Sequence, residues 1–272
     1  MGLLRMVFKW YIKASIHVSL CLLGMVWFTG LIFEVEVSGD YILALLFGSI
    51  AGYNIIKYGF DPGTTRMWAS GGGKILIFLS LLSLLLAGYF FIHLALQTRV
   101  LLIIAVLITA LYTFPLRPGG VNLRSYGILK VFLVALVWTI LSVWAPLWSK
   151  THNFSWDMGV ESLQRMIWVF LLMIPFEIRD MHADPPEMRS IPQRFGLRNT
   201  YRITWVAATL FALATFFKDA PAKGEFACKI AIAFLMALSI VRASDKQPSY
   251  YASFWVEGIP LAALGLLLLF QL

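Results

Sequence analysis

The chain alternates long apolar runs with short polar segments along nearly its whole length. About 20 consecutive, mainly apolar residues are enough for a helix to cross the hydrocarbon core of a membrane. Nine runs approach this length, and the polar segments between them leave no room for a separate soluble module. We therefore predict an all-α integral membrane protein, in which residues 1–272 form a single polytopic domain of nine transmembrane helices. The predicted spans cover residues 14–33, 41–57, 74–95, 99–116, 128–147, 163–180, 200–217, 227–243 and 252–271.

Composition supports a membrane location and changes the meaning of the net charge. Hydrophobic residues make up 60% of the chain and charged residues 13%, whereas soluble domains carry about 25% charged residues. The formal net charge of +8 would suggest a nucleic-acid partner in a soluble protein. In a membrane protein, basic cytoplasmic loops and anionic headgroups account for it, so we expect membrane lipids and no nucleic acid as partners. Cys21 and Cys228 fall in apolar runs, which predicts buried free thiols.

The distribution of basic residues predicts how the spans are oriented. If the N-terminus is cytosolic, 16 of the 22 lysines and arginines fall in inner segments and six in outer ones. Cytoplasmic loops are enriched in basic residues, so the N-terminus is predicted inside and the C-terminus outside. The inner loops 58–73, 117–127 and 181–199 are long and rich in charged and polar residues. We therefore expect a functional side that faces the cytosol, in a bacterial cytoplasmic (inner) membrane.

Charged residues are concentrated directly after the sixth apolar run, in the segment "FEIRDMHADPPEMRSIPQRFG". Glu177, Asp180 and Asp184 are spaced at i, i+3 and i+7, which places them on one face of a helix. Because a residue before proline avoids the α conformation, Pro185 predicts a helix end near Asp184. Carboxylates at this spacing repel each other by a few tenths of a kcal/mol per pair, and the helix dipole adds to this. We therefore expect a compensating positive charge.

Three arrangements satisfy this expectation. Arg179, Arg189 and Arg194 are close enough in the chain to pair with the acids. Alternatively, Mg²⁺ binds one or two carboxylates together with substrate phosphates, and arginines bind phosphate oxygens with two hydrogen bonds. The third possibility is a solvated loop with surface ion pairs. The spacing alone leaves these alternatives open.

The segment from Glu177 to Gly196 resembles the second aspartate-rich segment of the UbiA superfamily of membrane prenyltransferases. That segment reads D/E-x-x-D-x-x-x-D, then a basic residue, T-[IL]-P and a glycine. Glu177, Asp180 and Asp184 match the acids, and "SIPQRFG" matches the tail. Tyr112–Gly120, "YTFPLRPGG", is similar to the family's Y-[ST]-x-P-[LF]-[RK] segment. The nine predicted spans, with charged cytosolic loops after spans two and six, also agree with the family.

The resemblance implies an enzyme of quinone or lipid biosynthesis that transfers an alkyl group other than methyl. Its substrates would be a polyprenyl diphosphate and a lipophilic acceptor. The resemblance further implies Mg²⁺ bound by Glu177, Asp180 and Asp184, with Asp180, Asp184 and Asn54 as catalytic residues. In the family the metal neutralises the charge of the departing diphosphate.

The family's first acidic segment is degenerate in this chain. In the family it is close to N-D-x-x-D-x-x-x-D at the end of span two, whereas this chain reads "YNIIKYGFDP". Asn54 matches the leading asparagine, but Ile55 and Tyr58 stand at the next two acid positions. Pro62 stands at the third, with Asp61 one residue early. About half of the implied metal site is therefore missing.

Other polar residues near the two segments are candidates for substrate contacts. Lys57 is hypothesised to contact phosphate directly as a point charge. Glu257 lies inside the ninth run, where a charged residue costs about 2.5–3.5 kcal/mol and is a functional candidate; the alternative is a protonated glutamate at the rim. Arg117 and Lys130 could instead be cytoplasmic anchors, and Tyr112 a tyrosine of the membrane interface. The predicted substrate-binding residues are Lys57, Arg66, Tyr112, Arg117, Lys130, Arg179, Arg189, Arg194 and Glu257.

Two other functions compete with the transferase. One is a non-catalytic relative that binds a lipid or quinone in the same cavity. The other is a transporter with Glu257 as its proton site, which is disfavoured because the spans show no obvious inverted repeat. If Asp61 or Glu257 lies within metal-bridging reach of Asp180 and Asp184, the enzyme is favoured. If both point away, the non-catalytic protein is favoured.

Overall fold

The computed structural model of the protein describes residues 2–58, 71–114, 122–151 and 154–271. Within these ranges every regular element is a helix and there is no β-strand. Short 3₁₀ turns lie at Leu123–Ser125, Pro186–Met188 and Ala214–Phe217, and π-helical turns at Ile140–Trp144 and Tyr251–Val256. The α-helices are α1 Gly2–Lys13, α2 Ile16–Ile32, α3 Gly39–Tyr58, α4 Gly71–Phe91, α5 Leu96–Thr113, α6 Gly127–Thr139, α7 Ala145–Thr151, α8 Trp156–Asp180, α9 Ile191–Leu213, α10 Glu225–Val241 and α11 Ile259–Gln271.

The predicted class, an all-α membrane protein, is confirmed by the length and apolar character of the helices. Seven candidate spans lie within the described ranges, and the bent pair α1 and α2 raises the number to eight if it counts as one span. The predicted number was nine, and the remaining prediction, 227–243, falls on α10, which has 17 residues. The seven candidate spans are Gly39–Tyr58, Gly72–Phe91, Leu96–Thr113, Gly127–Trp148, Trp156–Asp180, Ile191–Phe217 and Tyr251–Gln271.

The first predicted span begins with a sharp bend. Ser15 has a φ of 60°, in the left-handed region, and the chain turns by 62° between α1 and α2. None of the α1 residues is buried. Its basic residues and its apolar side chains fit a helix that lies along the membrane surface rather than across it.

The best-packed part of the bundle surrounds α2 and α8. The ring of Trp168 on α8 is fully buried and makes edge-to-face contacts with Phe28 on α2 and Phe211 on α9, at centroid distances of 5.4 and 5.8 Å. Cys21 and Cys228 are buried and free, as predicted. Helices α4 and α5 instead expose large apolar side chains such as Phe78 and Val106, as lipid-facing helices do.

A buried ion network lies at one end of this packed part. Glu161 on α8 accepts hydrogen bonds from Arg165 at 3.0 Å, Lys218 at 3.0 Å and Lys229 at 2.7 Å. Glu225 accepts from the same two lysines, at 2.5 and 2.6 Å. All five side chains are almost inaccessible to solvent. The network joins α8, the end of α9 and the start of α10, so these charges are structural partners of one another.

Candidate functional site

The acidic end of α8 has the register expected from the sequence, although the helix ends earlier than predicted. The helix proper stops at Asp180 rather than near Asp184, and one further turn follows, in which the N–H groups of Ala183 and Asp184 donate to the Asp180 carbonyl. Gln193, in the "SIPQ" stretch, then closes this turn. Its side-chain amide donates to the carbonyl oxygens of Met181 and Asp184, both at 3.0 Å. The tail of the motif therefore fixes the shape of the acidic segment.

Positive side chains compensate the acids directly. The Lys130 ammonium lies 2.6 Å from a Glu177 carboxylate oxygen and 3.8 Å from one of Asp184. The Arg179 guanidinium donates two hydrogen bonds of 2.7 Å to Asp180. Arg179 was among the predicted partners of the acids, and the pairing of Lys130 with Glu177 was not predicted.

A close backbone contact between α6 and the loop after α8 places Lys130 beside Glu177. A Cβ atom at Gly127, in the first turn of α6, would lie 2.6 Å from the carbonyl oxygen of Arg189 and 2.7 Å from the Cα of Ser190. Only a glycine allows α6 to approach the loop after α8 this closely. Lys130 lies one helical turn further along α6, beside the acids.

The other predicted arginines are placed differently. Arg189 is exposed, and its backbone has a φ of 49°. Arg194 is exposed too, and its guanidinium stacks over the ring of Phe195 at 5.4 Å. Arg66 and Arg117 lie outside the described residues.

The described residues do not form the set of Mg²⁺ ligands that the resemblance implies. Both oxygens of Asp180 accept from Arg179, and one oxygen of Glu177 is held by Lys130. Within the described ranges no group of three or more His, Cys, Asp or Glu side chains is placed to hold a metal ion. The other Glu177 oxygen is buried without a hydrogen-bond partner. Asp61, from the degenerate first segment, lies outside the described residues.

The first segment is only partly directed at the acids. Asn54 is buried between α3 and α4, where its amide donates to the Ser80 hydroxyl at 3.0 Å. Tyr58 donates to the backbone carbonyl of Lys13 at 2.9 Å. Lys57 is exposed, with its ammonium 5.9 Å from the centroid of the Tyr53 ring. The end of α3 therefore offers one accessible cation, Lys57. It has no carboxylate at positions 55 and 58, which match two acid positions of the family's first segment.

Glu257 lies at a break in the last candidate span. The π-helical turn Tyr251–Val256 widens the helix, and the N–H of Glu257 donates to the carbonyl of Ala252 at 3.0 Å. Such turns are frequent at functional sites. The charges of Lys57 and Arg179 both act on the Glu257 carboxylate. Glu257 therefore belongs to the same end of the bundle as the acidic segment, without completing a metal site with Asp180.

A large apolar cavity opens beside this charged end. It has a volume of about 620 Å³ and is lined by residues of α2, α3, α4, α5 and α6. Tyr53 and Tyr112 are among its few polar lining residues. The charges of Arg124, Glu177 and Asp184 all act on the Tyr112 hydroxyl, and the charge of Glu257 acts on that of Tyr53. Sequence reasoning missed Tyr53, although it directly precedes Asn54 of the recognised motif.

Comparisons of the chain with known protein families, with curated proteins and with solved structures found no match. The likeness to membrane prenyltransferases therefore rests on the motifs around Asp180 and Tyr112 and on the succession of apolar helices.

Proposed function

We propose that the protein is a UbiA-like membrane prenyltransferase, which transfers a prenyl group from a polyprenyl diphosphate to a lipophilic acceptor. The observation that supports this most is the position of the cavity, which adjoins the charged helix ends. Its volume of about 620 Å³ falls within the range of roughly 300–1,000 Å³ typical of ligand pockets. An apolar cavity beside a group of charged side chains has the polarity needed for a substrate with a hydrocarbon tail and an anionic head.

Each end of such a substrate has a place in this proposal. The prenyl chain occupies the cavity, and the diphosphate lies near Lys57, Lys130 and Arg179. In the reaction the allylic carbon–oxygen bond breaks, and the diphosphate leaves with the electron pair. The acceptor forms the new bond to the allylic carbon and releases a proton. Cations at the charged end stabilise the negative charge that develops on the leaving group.

The proposal includes a topology. We infer nine spans, with α2 as the first span, preceded by α1 along the membrane surface, and α10 as the eighth. At 17 residues α10 is at the short end of the lengths that cross a membrane. The 16 basic residues assigned to inner segments support a cytosolic N-terminus and a cytosolic charged end. A bacterial cytoplasmic membrane fits this orientation.

A second candidate, a protein that binds an isoprenoid lipid or quinone without turnover, is favoured by one observation. Lys130 and Arg179 already neutralise the acids that would bind Mg²⁺ in an enzyme of the family. Such a protein would use the same cavity. It would need no metal.

Turnover separates the two candidates. Purified protein in vesicles of native lipids is incubated with radiolabelled geranylgeranyl diphosphate, with Mg²⁺ or with a chelator, and label is followed into the lipid phase. We expect transfer that is lost in Asp180→Ala and in Asp184→Ala. Glu187→Ala, an exposed acid of the same loop, is the matched control. Transfer that survives both substitutions would contradict the proposed role, and binding without transfer would establish the second candidate.

A further inference from the structure

A second pocket lies at the opposite end of the bundle from the acidic segment. It has a volume of about 250 Å³ and is formed where α3 and α5 begin, beside the short helix α7. Since α3 runs from this pocket to Lys57 and α5 runs from it towards Tyr112, the helices separate it from the charged end. It is therefore independent of the proposed transferase site.

The pocket presents groups of both charges. The Asp40 carboxylate and the Lys150 ammonium both line it, and both residues are exposed. The Nδ1 of His93 donates to the backbone carbonyl of Tyr89 at 2.8 Å, since a carbonyl can only accept. The Nε2 of His93 is therefore the ring nitrogen left for a ligand.

Hydrogen-bonding groups without a partner line the same pocket. Thr98 is 4% exposed and lines it, and its hydroxyl has no hydrogen-bond partner among the described residues. Helix α5 begins at Leu96, and its N-cap residue Ala95 provides no side-chain cap, so the first N–H groups of this 18-residue helix lack intrahelical partners. Together with Lys150 these donors suit an anionic oxygen, because helix N-termini favour anions.

The surroundings of the pocket are those of a membrane interface. Ile92 and Leu96, on either side of the turn that borders it, are 63% and 66% exposed. Ile92 directly follows one candidate span and Leu96 begins the next, so both lie where acyl chains meet headgroups. A water molecule occupies about 30 Å³ of the liquid, so the pocket holds roughly eight waters or a polar headgroup of about eight non-hydrogen atoms.

We propose that this pocket binds the headgroup of phosphatidylethanolamine. The phosphate accepts hydrogen bonds from Lys150, from the Thr98 hydroxyl and from the first turn of α5. The primary ammonium donates to Asp40, which is the reason for ethanolamine rather than choline, whose quaternary nitrogen has no proton to donate. The acyl chains lie along the exposed apolar surface that includes Ile92 and Leu96.

The test counts lipids bound to the full-length protein by native mass spectrometry. Dioleoyl-phosphatidylethanolamine, the matched phosphatidylcholine and the matched phosphatidylglycerol are titrated separately. We expect phosphatidylethanolamine to bind about tenfold tighter than either, and Asp40→Asn to remove this preference, because charged hydrogen bonds are the strong ones. Thr98→Val and Lys150→Ala should each weaken binding of phosphatidylethanolamine. Glu36→Gln, an exposed acid of the preceding loop that does not line the pocket, is the control.

Several outcomes would overturn the proposal. Equal binding of phosphatidylethanolamine and phosphatidylcholine would exclude recognition of the ammonium. Preference for phosphatidylglycerol, or displacement by inorganic phosphate as effective as by soluble phosphoethanolamine, would reduce the pocket to a simple anion site. The thermal stability of each variant is also measured without added lipid, so that a lost preference for phosphatidylethanolamine counts as support only where the Asp40→Asn protein is folded.

Discussion

At the scale of single residues, two buried carboxylates are held by cations from distant parts of the chain. Glu177 and Glu161 are 3% and 1% exposed, and each accepts from a lysine of another helix or loop. Removing one partner of a buried pair costs about 3–5 kcal/mol, because the other charge stays buried, whereas replacing both can be neutral. Single substitutions here should therefore be more damaging than double ones.

The first prediction concerns the pair of Lys130 and Glu177. Lys130→Met leaves the Glu177 carboxylate without its partner at 2.6 Å, and we expect a loss of about 3 kcal/mol in unfolding free energy. The double variant Lys130→Met/Glu177→Met should recover most of that loss. Unfolding in detergent with increasing denaturant measures all three variants as a double-mutant cycle. Additive losses in the double variant would show that the two side chains do not interact.

The second prediction concerns the network around Glu161. In Glu161→Gln the buried Arg165 loses its carboxylate partner, and Lys218 and Lys229 are left with the carboxylate of Glu225 alone. We therefore expect a loss of about 3–5 kcal/mol in unfolding free energy. Glu36→Gln, on an exposed loop, should change stability by less than about 0.5 kcal/mol. Thermal unfolding of the two variants beside the unchanged protein gives the comparison. Similar stability of Glu161→Gln and Glu36→Gln would rule out a stabilising network.

The same network predicts how stability depends on pH through Lys218, which lies just after α9 and its 3₁₀ extension. Burial alone lowers the pKa of Lys218, but the nearby carboxylates of Glu161 and Glu225 outweigh it, so the pKa lies above its ordinary value. A raised pKa gives stability that is complete below the ordinary value of about 10.4 and is lost as pH rises through the higher folded value. We expect Lys218→Met to reduce the unfolding temperature by the same amount at pH 7 and pH 9. A loss that is already smaller at pH 9 would contradict the raised pKa.

At the scale of elements, apolar patterning predicted the helices and local chemistry decided their ends. The run from residue 14 marks α2 closely, but periodicity carries no signal for the left-handed turn at Ser15. The π-helical turn before Glu257 could not be predicted from the sequence either, because i→i+5 hydrogen bonding leaves the apolar pattern almost unchanged. The acids of α8 were readable from their spacing. Their partner Lys130 was not, since the contact depends on how α6 crosses the loop at Gly127.

Gly127 provides the fourth prediction. Gly127→Ala places a Cβ atom 2.6 Å from the backbone of Arg189, so α6 must move and Lys130 must withdraw from Glu177. We expect a loss of about 1–3 kcal/mol in unfolding free energy, as overpacking causes. Gly265→Ala is the matched control, because its Cβ meets nothing within 4 Å in α11 and alanine favours a helix. Equal stability of the two variants would contradict the close approach.

At the scale of the whole molecule, the bundle divides into a packed part and an open part. Helices α2, α8, α9 and α10 surround Trp168 and the buried ions, whereas α3, α4, α5 and α6 enclose the cavity of about 620 Å³. The packed part fixes α8 and hence the acids of the charged end. The open part leaves space for a hydrocarbon chain that begins at that end. The division itself follows from side-chain contacts between helices, which the apolar pattern of single helices does not encode.

The last prediction tests whether the cavity holds the prenyl chain. Gly52 on α3 lines the cavity, and a Cβ atom there meets nothing within 4 Å, so Gly52→Leu adds a side chain to the open space without a backbone clash. If the chain of a polyprenyl diphosphate lies in the cavity, the leucine should weaken binding of geranylgeranyl diphosphate about tenfold and binding of the shorter geranyl diphosphate much less. Affinities are measured by fluorescence competition in detergent.

Gly265→Leu is the control for this experiment, because residue 265 also has open space at its Cβ but does not line the cavity. Its affinity for both diphosphates should equal that of the unchanged protein. Equal weakening of the long and the short ligand by Gly52→Leu would indicate a general disturbance of α3. Unchanged binding of both ligands would place the hydrocarbon chain outside the cavity. The charged end would then have to recognise the diphosphate without contacts between the prenyl chain and the cavity.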